Sequence, residues 1–131
     1  MYRERDNKKY FVFPGGGVEN SEAHEHCLIR EGKEELGIEI KPIKYIYKVI
    51  GDTFIQHFYL CDWISGQVGT GNEEEYSHER VGGFQQPKWI DINDLPTLII
   101  ISKPIVDTLL SDIKKHGLKL DEELKKIIDI N

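Results

Sequence analysis

The run Pro14-Gly15-Gly16-Gly17 constrains this chain more than any other stretch, because three consecutive glycines suit neither the interior of a helix nor that of a strand. Before it, Lys9-Tyr10-Phe11-Val12-Phe13 is aromatic and β-branched and reads as a strand entering the glycine loop. After it, from Ser21 to about Leu36, the composition turns to Glu, Ala, Leu, Arg and Lys. Asn20 or Ser21 is placed as N-cap, Glu22 in the first turn and Gly37 as C-cap, so this segment is the clearest helix.

Further along, Ile38-Glu39-Ile40 alternates, Pro42 interrupts, and Ile43 to Ile50 and Thr53 to Ile64 read as two strands joined around Gly51-Asp52. The polar stretch from Gly66 to Gln86 carries Gly66, Gly69, Gly71, Gly82 and Gly83 and reads as one long loop, a feature that is uncommon unless functional. Lys88 to Ile92 reads as a short strand, and Asn93-Asp94-Leu95-Pro96 as a turn or helical cap. Helical spacing from Pro104 to Ile130, broken near His116-Gly117, predicts two short helices.

A length of 131 residues fits a single domain over 1–131, with no internal repeat, low-complexity tract or linker. Apolar residues at 39% and charged residues at 31% give the balance of a soluble globular protein. No apolar run is long enough to cross a bilayer and Met1 to Asp6 lacks the core of a signal peptide, so no membrane association is expected and the cytoplasm is the default location. Cys27 and Cys61 show no metal or disulfide spacing and are expected to be reduced. The net charge of −6 argues against stable nucleic-acid binding, which needs clustered Lys and Arg. An acidic protein can still take an anionic ligand when a bound divalent cation inverts the local field.

At about 100° per residue, Glu31, Glu34 and Glu35 share one face of the predicted helix, while Leu28, Ile29, Gly32 and Leu36 gather on another. The helix can therefore pack with one side and offer carboxylates with the other. Like charges at these spacings cost about 0.2–0.5 kcal/mol per pair unless a cation sits among them, and hard oxygen donors suit Mg²⁺ or Mn²⁺. Three glutamates alone describe any solvated acidic face. The adjoining Gly15-Gly16-Gly17, whose backbone can approach a metal or phosphate closely, favours a metal-phosphate site.

From Gly16, five residues lead to Glu22 and seven more to Arg30-Glu31; then follow Gly32, Lys33, Glu34-Glu35, Leu36, Gly37 and Ile38. This resembles the Nudix box, Gly-x5-Glu-x7-Arg-Glu-U-x-Glu-Glu-x-Gly-U, where U is a bulky apolar residue. Every fixed position matches. The departure is Gly32 at a U position, where mid-helix glycine costs roughly 1 kcal/mol relative to alanine; close contact of helix and sheet is expected there. Phe13-Pro14 and the stretch from Trp89 to Leu95 are also similar to common Nudix sequence.

The resemblance implies an α/β chain with the Nudix fold, an α/β/α sandwich around a mixed β-sheet. It implies that Glu31, Glu34 and Glu35, with the carbonyl of Gly16, hold Mg²⁺, with Mn²⁺ as a substitute. Arg30 would orient the carboxylates, and Glu22 would brace the junction of loop and helix. A base or further ligand often comes from a later loop in this family; Glu79 is favoured, Glu75 second, with Glu73 and Glu74 as further candidates. Arg3 and Arg5, on one face of an extended N-terminus, and Gly15, Gly16 and Gly17 are the expected substrate-binding residues. Tyr76, Phe84 or Trp89 are candidates to stack on a base, although Trp89 is expected in the core.

Nudix domains usually carry at least one more strand before the glycine loop than the thirteen residues ahead of Pro14 can supply. The first strand is therefore a candidate to be lacking: either Met1 is a late start, or, if the chain is complete, a sheet edge is left uncovered and open to pairing with another chain, with a homodimer as the candidate assembly. The activity implied is hydrolysis of small nucleoside diphosphate-linked substrates, nucleoside triphosphates or oxidised deoxynucleoside triphosphates before ADP-ribose, with specificity in the loop from Gly66 to Gln86. The alternative is a catalytically silent Nudix-fold module that senses a nucleotide; such modules tend to lose the box glutamates, and here all three are present.

Overall fold

A computed structural model of the chain describes residues 1–71, 76, 83–117, 120 and 126–130. Its contacts resolve two compact units, Met1–Lys41 with Asp62–Ile101 and Pro42–Cys61 with Ser102–Asn131. Each follows from its own local chemistry.

In the first unit, β1 (Tyr2–Arg5) and β2 (Lys8–Phe11) form an antiparallel hairpin reversed at Asp6-Asn7. Both turn residues take positive φ, 51° and 61°, as the tight reversals that match strand twist demand, and Asn and Asp tolerate that region best among non-glycines. The residues ahead of Pro14 thus supply two strands, where the sequence suggested one. A later strand, β5 (Phe84–Gln86), pairs with the other side of β1, giving the order β2-β1-β5. This corrects the reading of Gly66 to Gln86 as loop throughout. Register sets Arg3 opposite Tyr10 on one neighbour and Gln85 on the other. On the opposite face Tyr2 meets the rings of Phe11 and Phe84 edge-on, at 5.4 and 6.4 Å between centroids.

The outer edge of β2 is met by Ile99–Ile101, with Phe11 N–H donating to Ile99 O and Ile101 N–H to Phe11 O. The stretch Lys88 to Ile92 is not a strand. Pro87 follows β5 and cannot donate to a ladder, and Asp91 instead caps a 3-10 helix (Ile92–Thr97) by accepting from Asn93 N at 2.8 Å. Trp89 is 69% exposed and packs edge-on against Trp63, so the expected core position for it is wrong.

The helix begins later than its composition suggests: α1 spans His24–Glu31. Ser21 has φ 63° and Glu22 N–H donates to Glu19 O, so Glu19–Glu22 is a turn, and Ala23 is an N-cap without a side-chain bond. Past Glu31 the helix widens to a π turn over Gly32–Leu36 and stops at Gly37, whose φ of 76° is left-handed. Gly32 lies against β3 as its small size invites: a Cβ there would stand 3.2 Å from Ile40 Cγ1.

The strands β3 (Ile38–Ile50) and β4 (Ile55–Gly66) run through both units, and Pro42 sits inside β3 rather than interrupting it. Proline is tolerated there because the other neighbour of β3, β6 (Lys126–Asp129), pairs with it only from Tyr47 onward. The sheet order is β4-β3-β6, with β6 parallel to β3 and β4 returning through the short turn closed by Gly51 N–H on Phe54 O, so it is mixed. The predicted second C-terminal helix is corrected by β6: Ile127 and Ile128 are β-branched and fit a strand. The first C-terminal helix, α2 (Lys103–His116), ends at Gly117 as expected. Among the described residues no helix is long and apolar enough to cross a membrane.

The core of the second unit gathers Ile46, Tyr47, Val49, Ile105, Val106 and Leu120 around one polar pair. The Tyr47 hydroxyl donates to Asp112 Oδ2 at 2.6 Å, and both residues are buried. Burial and the adjacent carboxylate push the phenol well above its ordinary range, so it remains a donor at all working pH. Replacing Tyr47 by Phe leaves a buried carboxylate short of that donor and should cost about 1.5–3 kcal/mol. Urea denaturation of Tyr47→Phe measures this; a midpoint equal to that of the unaltered protein would show that the bond contributes nothing.

Candidate active site

The site lies within the first unit, where the glycine loop meets α1 and the π turn. Gly16 is the tightest point. A Cβ on it would fall 2.0 Å from Glu31 Oε1, so only glycine lets that carboxylate lie against the loop backbone. Beneath the loop, Cys27 sits with its thiol 3.9 and 3.7 Å from the carbonyls of Gly16 and Gly17. Burial and the Glu22 carboxylate raise this thiol, so it serves as a neutral donor to the loop. Neither Cys27 nor Cys61 forms a disulfide among the described residues.

Arg30 organises the charges. Its Nε and Nη2 donate to the two oxygens of Glu22 at 2.9 and 3.0 Å, a bidentate fork. Its Nη1 donates to Glu31 at 2.9 Å and to Glu34 at 3.2 Å, and Nη2 reaches Gly17 O at 3.1 Å. Glu22 also accepts from Glu19 N–H at 2.9 Å, so one carboxylate ties the loop to the helix. The Arg30 guanidinium, helped by that amide, holds the Glu22 carboxyl well below its usual range, at about 2. The guanidinium in turn is held above its own range, chiefly by Glu22.

The three box glutamates lie in different surroundings. The Glu34 side chain is 53% exposed, Glu31 is half-buried against Gly16, and Glu35 is buried, accepting from Gly15 N–H at 3.3 Å. Among the described residues no three acidic, histidine or cysteine side chains converge on one point as a ligand set, which differs from the cluster expected. The reason is visible in the hydrogen bonds: Arg30 draws Glu31 and Glu34 to itself and relieves their mutual repulsion. The donor set nevertheless fits a hard divalent cation. Carboxylate oxygens and a glycine carbonyl are the hard donors such an ion takes, and the missing Cβ of Gly16 leaves room for the Glu31 carboxylate against the loop.

Of the residues expected to bind substrate, Gly15 spends its amide on Glu35 and Gly17 its carbonyl on Arg30. Arg3 is half-buried on the central strand, and among the described residues its Nε is buried without a hydrogen-bond acceptor. Arg5 is exposed and lies 3.7 Å from Asp6. Glu79, Glu75, Glu74 and Glu73 lie outside the described residues. Beside the loop an apolar cavity of about 300 Å³ is lined by Phe11, Phe13, Pro14, Leu36, Ile38 and Trp89 with their neighbours. Two contacts escaped sequence reasoning: the Cys27 thiol accepts from Arg30 Nη2 at 3.8 Å, and the hydroxyl of Tyr76, a stacking candidate, donates to the helix backbone at Glu35 O.

Residues 1–109 match the NUDIX domain. Over 66 residues the chain is 40% identical to a Bacillus subtilis (strain 168) protein named "Putative 8-oxo-dGTP diphosphatase YtkD". The aligned stretch is 47% of this chain and spans 41% of the length of that relative.

Because the folded Glu22 carboxyl titrates near 2 rather than at its ordinary 4.5, its contribution to stability is full above about 4.5 and is lost as pH falls toward 2. Thermal melts of the unaltered protein and Glu22→Gln should therefore differ most above that window, with the gap closing through it. A gap constant from neutral pH down to about 2 would contradict the ion pair.

Proposed function

This chain belongs to the Nudix family, and from that premise we propose that it is a divalent-metal-dependent pyrophosphohydrolase acting on nucleoside diphosphate-linked small molecules. Nucleoside triphosphates, oxidised deoxynucleotides among them, are the preferred substrates in this reading, ahead of ADP-ribose. The observation that carries it is the seat of the Glu31 carboxylate on the bare Cα of Gly16, with Arg30 spanning Glu22, Glu31 and Glu34. The name of the B. subtilis relative, which concerns 8-oxo-dGTP, supports the substrate class.

Glu31, Glu34, Glu35 and the Gly16 carbonyl are the residues that would hold the ion. Bound Mg²⁺, or Mn²⁺ in its place, would neutralise the diphosphate and make water a nucleophile near neutral pH. What the chain itself contributes is position. Glu22 fixes the plane of the Arg30 guanidinium by its bidentate bond, and Arg30 then sets where the Glu31 and Glu34 oxygens lie. Glu35, buried on the Gly15 amide, keeps the loop closed over the helix. Arg3 offers a half-buried guanidinium suited to substrate phosphate oxygens, with Arg5 beyond it. Glu79 is the proposed base. The apolar cavity bordering Pro14 and Leu36 suits the less polar end of a nucleotide.

The test is purified protein with Mg²⁺ or Mn²⁺ and a panel of nucleoside triphosphates, oxidised nucleotides and ADP-ribose, followed by phosphate and pyrophosphate release. Glu34→Gln should lower turnover by about 100-fold or more, since transition-state charge stabilisation by a metal is worth several kcal/mol at about 1.4 kcal/mol per decade. Tight nucleotide binding without turnover on any member would instead make the chain a nucleotide sensor.

A further inference from the structure

We infer that Tyr76 is a positioning residue for Glu34 and Glu35, acting through the carbonyl end of the helix that carries them; the inference rests on the metal-dependent reading above. A helix leaves its last four carbonyls without donors of its own. Here the donors come largely from a segment more than thirty residues away. Gly69 N–H donates to Leu36 O at 3.0 Å, Thr70 Oγ1 to Gly37 O at 3.3 Å, and the Tyr76 hydroxyl to Glu35 O at 2.8 Å. The same hydroxyl accepts from Gly71 N–H at 2.9 Å, so one oxygen ties the strap to the backbone of Glu35.

The fit is backbone to backbone. A Cβ on Gly71 would stand 2.5 Å from the Tyr76 hydroxyl and 2.6 Å from Glu34 O, and one on Gly37 would stand 2.4 Å from Gly71 N. Neither contact leaves room for a side chain, so two glycines and one tyrosine meet on the turn bearing Glu34 and Glu35. That turn is π-helical, the rarest and least regular helical geometry, and such turns recur at functional sites. The carbonyls of Glu35 and Leu36 are held from outside, so this segment bears on how Glu35 is rotated toward Gly15 and how the adjoining Glu34 is presented to Arg30. A phenylalanine in place of Tyr76 keeps the ring and removes only the hydroxyl's bonds to Glu35 O and from Gly71 N–H, which separates positioning from packing.

The experiment uses the full chain, with free Mn²⁺ followed by electron paramagnetic resonance, alongside kcat, KM and thermal melting. In Tyr76→Phe the Mn²⁺ dissociation constant should rise by about 10-fold, as loss of a supporting contact around a metal ligand typically gives. The value of kcat should fall while KM for the nucleotide stays nearly constant. Thr70→Val, which loses the bond to Gly37 O, should shift Mn²⁺ affinity in the same direction by a smaller factor, and decides the matter if Tyr76→Phe does not fold. Mn²⁺ affinity and kcat equal to those of the unaltered protein, whatever the change in melting temperature, would make Tyr76 a packing residue and overturn the inference. Failure of the unaltered protein itself to bind Mn²⁺ would instead strike the metal-dependent reading, and the two failures are thereby distinguishable.

Discussion

The contact on which the site depends is that between the Glu31 carboxylate and the unsubstituted Cα of Gly16. It requires glycine at the loop, a helix entering at one angle, and a partner that keeps the carboxylate in place. Arg30 is that partner, and it is fixed in turn by the bidentate bond to Glu22 and by the Gly17 carbonyl. Loop and helix are thereby one object. The thiol of Cys27 below and the amide of Gly15 on Glu35 close the remaining sides.

The electrostatics follow from that geometry. Glu19, Glu22, Glu31 and Glu34 all lie within ion-pair distance of a single guanidinium, so the acidic side of the helix is only partly neutralised by the chain itself. On a protein of net charge −6, an anionic diphosphate would meet repulsion there unless another cation arrived with it. This is the physical reason to tie the proposed activity to a divalent ion. A depressed Glu22 and a raised Arg30 are the signature of the internal pair and need no external cation.

The glycine loop, the acidic helix and the hairpin around Gly51 were legible in the sequence because each depends on neighbours within a turn or two. The family was legible for the same reason, since its box is a local pattern, and the match over residues 1–109 bears that out. What escaped depends on distant partners. Phe84–Gln86 is a strand because β1 offers it an edge, and Lys126–Asp129 because β3 does. Lys88 to Ile92 has strand composition but pairs with no strand among the described residues, and Asp91 captures the chain for a 3-10 turn. The tie from Tyr76 to Glu35 spans 41 positions and leaves no trace in periodicity. The π turn is similarly invisible, because its residues fit an α-helical pattern and its Glu35 and Leu36 carbonyls are held by donors more than thirty residues away.

The central claim is that one turn of helix and one glycine carbonyl form a seat for a hard cation. A crystal structure with Mn²⁺ and a non-hydrolysable nucleotide analogue, read by anomalous scattering, tests it most directly. The account predicts an anomalous peak bonded to oxygens of Glu31, Glu34 or Glu35 and to Gly16 O at roughly 2.0–2.3 Å, with analogue phosphate oxygens completing the shell. A peak elsewhere, or bound analogue with Arg30 still holding Glu31 and Glu34 and no ion beside them, would contradict it.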